Sequence, residues 1–100
     1  MAELDEHVVA PARLKLMTTL TAVSEAEFAT VREALDVSDS VLSKHLGALE
    51  EVGYVRRHKG IRSGRRTTWI SLTPRGRRAL SAHVTALRAL IDGIDAAPPA

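Results

Sequence analysis

One hundred residues carry a net charge of only +2, with 45% hydrophobic and 3% aromatic side chains and no cysteine. That length makes one domain whose core must come from Leu, Val, Ile, Ala and Met, and the missing thiols exclude disulfide scaffolds, thiolate zinc sites and thiol redox sensing. No apolar run approaches the roughly 20 residues of a membrane span and the acidic N-terminus is unlike a signal peptide, so the chain is expected in the cytoplasm, away from any membrane.

Residues 1–9 are mixed and acidic without a period; they read as an N-terminal extension, frayed or reaching onto a partner. Pro11 suits the first position of a helix, where its missing N–H costs nothing. Leu14, Met17 and Leu20, with Leu16 and Val23, give that helix a buried stripe. Residues 25–29 read as a connection holding a brief strand. Thr30-Val31-Arg32-Glu33 has the capping-box pattern, which opens a short helix ending near Leu35. Asp36-Val37 then turns, and Ser38 caps a helix that runs to about Val52 and stops at Gly53. Two short helices joined this tightly form a helix-turn-helix.

Residues 54–58 and 67–72 alternate and are β-branched, as strands are. Between them Lys59 to Arg66, with two glycines and a serine, reads as a long basic hairpin tip. Thr73-Pro74 starts a last helix. On it Leu80, Val84, Leu87, Ile91 and Ile94 recur at spacings of 4, 3, 4 and 3, an a/d seam. Pro98-Pro99 ends all structure. The domain plan is an extension over 1–9, a winged helix-turn-helix over 10–73, a dimerisation helix over 74–95 and a disordered tail over 96–100. The fold class is mainly α with a small β-hairpin.

Charge is segregated along this plan. Between Arg56 and Arg78 stand nine Arg and Lys and no acid, whereas residues 1–51 hold four basic and ten acidic side chains, a local −6. Such a split marks a surface for a polyanion, above all nucleic-acid phosphates; the bland reading is a solvated basic loop. Leu42-Ser43-Lys44-His45-Leu46, then Leu49-Glu50-Glu51-Val52-Gly53-Tyr54-Val55, then Leu72-Thr73-Pro74-Arg75-Gly76-Arg77 resemble the signatures of small bacterial MarR/ArsR-like transcriptional regulators. The resemblance covers about residues 8–94 and is closest to short, stand-alone winged-helix DNA-binding proteins. It implies a homodimer and a repressor that acts by promoter occlusion.

On the helix from Ser38, positions 42, 46 and 49 are all Leu and belong to the core. The opposite side presents Ser40, Ser43, Lys44 and Gly47, a small, polar and partly basic face suited to the roughly 12 Å major groove. The recognition set is Ser38, Asp39, Ser40, Val41, Ser43, Lys44, His45 and Gly47. Within it Val41 suits a thymine methyl, and His45 packs or bonds a phosphate. Asp39 departs from the family pattern, where a neutral residue is common; it favours the helix N-terminus or accepts from a cytosine amino group. The wing set is Lys59, Arg62, Ser63, Arg65, Arg66 and Thr67, placed to follow the backbone or enter a minor groove. Thr30, Arg56, Arg75, Arg77 and Arg78 are candidate phosphate contacts, with at most one of Arg56 and Arg57 facing DNA because strand neighbours point opposite ways. Two partners fit the seam Leu80, Val84, Leu87, Ile91 and Ile94: the first helix of the same chain, or a second copy, which is the expectation.

No glycine-rich phosphate loop, nucleophile–base set or acid pair points to an enzyme, and no cofactor is called for. His7, His45, His58 and His83 lack ligand spacing, so no metal is expected. A small-molecule effector stays unknown. The rival class is a winged helix that binds a protein partner or RNA.

Overall fold

A computed structural model describes residues 3–96. In chain order these form α1 (Pro11–Thr21), β1 (Ala26–Glu27), α2 (Phe28–Leu35), α3 (Asp39–Glu51), β2 (Val55–Arg62), β3 (Arg65–Leu72) and α4 (Pro74–Ala96). The fold is mainly helical with a three-stranded antiparallel sheet of order β1-β3-β2. Of the tail expected over 96–100, Ala96 still belongs to α4, and residues 97–100 lie outside the described residues.

Helices α1, α2 and α3 each supply leucine, valine or methionine to one core. Leu16, Met17, Leu20, Val31, Leu42, Leu46 and Leu49 are buried there with Val55, Ile70 and Leu72 of the sheet. Val23 is not among them: α1 ends at Thr21, so the helical stripe stops short and Val23 is 42% exposed. The capping box at Thr30 does not form either. Pairing of Ala26 with Ile70 and Glu27 with Trp69 leads straight into α2 at Phe28, so Thr30 lies inside the first turn and no side chain caps this helix. Phe28 packs against the core and fixes that start.

The remaining boundaries follow their local chemistry. Asp36 takes the left-handed conformation (φ 53°) and closes α2, with its N–H on the Arg32 and Glu33 carbonyls. Ser38 accepts the Val41 N–H and starts α3, a cap worth about 1 kcal/mol. Thr73 does more than cap α4. Its hydroxyl accepts the Gly76 N–H at 2.9 Å and donates to the Gly53 carbonyl at 2.6 Å, tying the start of α4 to the end of α3.

The segment before α1 is anchored rather than frayed. Val8 is wholly buried in the core. Asp5 donates its backbone N–H to Nδ1 of the buried His83 on α4 at 2.9 Å, and its carboxylate accepts the Tyr54 hydroxyl at 2.5 Å. The expected seam on α4 divides in two. Leu80 is buried in the chain's own core and Val84 packs beside it, whereas Ile91 and Ile94 are 50% and 73% exposed.

Candidate nucleic-acid interface

Helix α3 keeps its leucines inward and turns Ser38, Asp39, Ser40, Val41, Ser43 and Lys44 to the surface. Gly47 is half-buried, and a Cβ built there would meet nothing within 4 Å. Close approach of another molecule, not internal crowding, is what a glycine at this position permits. His45 packs inward instead of standing free: its Nδ1 accepts from Arg13 Nε on α1 at 3.2 Å. Burial, then the charges of Arg13 and Lys44, hold its pKa below the usual histidine value, so the ring is neutral near pH 7 and joins α1 to α3. Asp39 is paired. Arg32 Nη1 on α2 donates to its carboxylate at 2.8 Å, a contact that no sequence period signals.

The wing is stiffer than a long basic loop. Its strands run to Arg62 and resume at Arg65, leaving a two-residue turn in which Ser63 and Gly64 have φ 51° and 76°. Two positive φ values are what a tight hairpin turn between right-twisted strands requires. Gly60, which the sequence suggested as a loop residue, is a strand residue. A side chain there would sit 2.8 Å from the Trp69 ring, so the glycine makes room for the indole.

Register fixes which wing side chains travel together. Arg57 pairs with Ile70, Lys59 with Thr68 and Ile61 with Arg66, so these share the face that packs on the helices. Toward the tip this face leaves the core and carries Lys59 and Arg66 free of acids. Arg57 is not free: Glu50 of α3 holds its guanidinium at 2.6 Å. On the other face Arg62 is held by Glu27 at 3.3 Å and His58 lies 3.3 Å from Glu25. Among the described residues Arg56, Lys59, Arg65 and Arg66 make no ion pair. Arg77 reaches the Thr21 carbonyl at the end of α1 at 3.5 Å, while Arg75 and Arg78 are exposed. Thr30 is exposed on the first turn of α2.

Between α3 and the wing lies a cleft of about 470 Å³, walled by Asp39 and Ser43 on one side and Lys59 and Thr68 on the other, with Phe28 also lining it. Glu50, Arg57 and His58 complete its lining, and its hydroxyls with the unpaired Lys59 suit a sugar–phosphate strand. Among the described residues no group of His, Cys, Asp and Glu is placed to hold a metal ion, and no helix is long and apolar enough to cross a membrane.

A family model described as a winged helix DNA-binding domain matches residues 12–91. The chain belongs to that family. Its general function is that of a DNA-binding transcriptional regulator. The uncharacterized protein MJ0432 of Methanocaldococcus jannaschii is 32% identical to it over 83% of this chain and 90% of its own length. The solved transcriptional regulator homologue of Pyrococcus horikoshii OT3 is 30% identical, with a TM-score of 0.86 over 91% of this chain and 90% of that one. PcaV, a transcriptional regulator of Streptomyces coelicolor solved with its natural ligand, shares the fold at 22% identity, with a TM-score of 0.74 over 97% of this chain and 67% of its own.

Proposed function

We propose that this winged-helix protein is a homodimeric, sequence-specific repressor that reads double-stranded DNA with α3 and blocks a promoter by occupying it. The observation that carries the reading is the shape and charge of one surface. A capped helix presents Ser40, Ser43, Lys44 and Gly47, and beside it the ribbon presents Lys59 and Arg66 on one face and Arg65 on the other, next to the turn, all three without acidic partners. Small side chains let a helix lie deep in the major groove, and lysine there reaches a guanine edge or a phosphate. The ribbon cations then grip the flanking backbone and raise affinity without reading sequence.

The second copy is proposed for the far half of α4. Leu87 is half-buried, and Leu90, Ile91 and Ile94 are exposed on a helix whose near half packs in the core. A second copy is the partner that would bury this apolar stretch, and two-fold pairing presents two recognition helices to half-sites about one turn, or roughly 34 Å, apart. Enrichment of bound duplexes from a random pool tests both parts. The expected product is an inverted repeat with centres about 10 base pairs apart. A single unrepeated site would remove the dimer from the account, and no enrichment over the input pool would remove sequence reading.

A further inference from the structure

Arg32 stands outside the basic block and outside the contacts expected from sequence. It lies in the last turn of α2, and the Asp36-Val37 turn brings it to the first residue of α3, where its Nη1 donates to Asp39 at 2.8 Å. Its Nη2 is 3.9 Å from Glu33 of the same helix. The Asp39 side chain is 70% exposed and lines the cleft beside Ser43 and Lys59. A bare carboxylate there would face the polyanion this family binds. Arg32 neutralises it, and the guanidinium keeps donors beyond the one that Asp39 uses. In a helix-turn-helix the first helix crosses the DNA backbone while the second enters the groove. An arginine at the junction of the two stands where a phosphate passes.

We propose that Arg32 holds a backbone phosphate at the mouth of α3, with Asp39 as the positioning residue that aims its guanidinium. This rests on α3 being the helix that enters the groove. The Asp39 contact on Nη1 fixes the planar fork, with Nη2 at the longer distance of 3.9 Å from the exposed Glu33, and leaves the guanidinium further donors for a phosphate. Asp39 thus favours binding although its own charge opposes it. Its effect must therefore change sign when Arg32 is absent.

Wild type, Arg32→Ala, Asp39→Asn and the double variant, titrated by fluorescence anisotropy over a salt series, decide the matter. The duplexes are one selected for binding and a shuffled one of equal length. Arg32→Ala should weaken both duplexes alike, by roughly tenfold for each copy of the dimer and so about a hundredfold in all, and lower the slope of log affinity against log salt by about 1.8, or about 0.9 per copy. Arg32→Lys keeps the charge without the fork, so it should restore the slope and only part of the affinity. Asp39→Asn should weaken wild type and strengthen the Arg32→Ala background, a coupling that independent sites do not show. Strengthening of equal size in both backgrounds would overturn the positioning role. An unchanged salt slope in Arg32→Ala would overturn the phosphate contact while leaving α3 as the reading helix. Wild type that binds neither duplex at low salt would overturn both.

Discussion

Arg62 and Arg65 pair across the end of the wing, yet only Arg62 has an acid to hold it. Arg65→Ala should therefore weaken binding to every duplex and flatten the salt dependence by about two phosphates' worth, one for each copy of the dimer. Arg62→Ala should do less, because Glu27 already offsets that charge; Glu27→Gln, which frees Arg62, should strengthen binding. Anisotropy titrations at several salt concentrations read all three, and equal effects of the two arginine variants would contradict the distinction. Gly47 offers a second contrast at this scale. With open space around its Cβ position, Gly47→Ala should stabilise α3 by up to about 1 kcal/mol in urea melts. The same methyl should weaken DNA binding if the α3 backbone approaches the groove closely. A variant that is more stable and binds as well as wild type would move the contact away from Gly47.

At the scale of elements, the segment before α1 fastens α4 to the end of α3 through Asp5, Tyr54 and His83. Burial alone would raise the Asp5 pKa. The Tyr54 hydroxyl, the His7 backbone N–H and the His7 charge outweigh it and leave the carboxyl below its ordinary 3.8. A carboxylate with a lowered folded pKa adds stability that is complete above the unfolded value and is lost as pH falls through the folded one. Asp5→Asn should thus cost about 1–3 kcal/mol near neutral pH, and the gap to wild type should narrow below about pH 4. Denaturant melts from pH 7 to pH 3 check this, and a gap independent of pH would contradict it. This anchor was illegible in the sequence, because one aspartate, one tyrosine and one histidine scattered over 78 positions carry no period. Periodic and capped elements were legible: the three leucines of α3, Ser38 as its cap and Thr73-Pro74 before α4. Thr30 misled because a capping-box pattern says nothing of the strand that feeds directly into α2. Gly60 misled because its glycine answers to Trp69 across the sheet and not to a turn. The positions of α3 and of the basic strands could be read from residue order. Which cations stay free could not, since Glu27, Glu50 and Asp39 reach their arginines only through the fold.

For the whole molecule, the exposed apolar half of α4 sets the expected assembly. Leu80 is already spent on the core, so the variants that should separate two copies without unfolding either lie farther along. Ile91→Glu, at a half-exposed site, should give a folded monomer in sedimentation, with DNA affinity sharply reduced because two half-sites no longer act together. A variant that stays dimeric would place the interface elsewhere. The central claim is that α3 reads sequence while the wing supplies charge, and one titration addresses it most directly. Wild type and Lys44→Ala are measured against a selected duplex and its shuffled counterpart as salt is raised. The account predicts a preference for the selected duplex that persists at high salt in wild type and narrows in Lys44→Ala, with the salt slope changing far less than the preference. Equal affinity of wild type for both duplexes, falling steeply together with salt, would contradict it and reduce the surface to a phosphate binder.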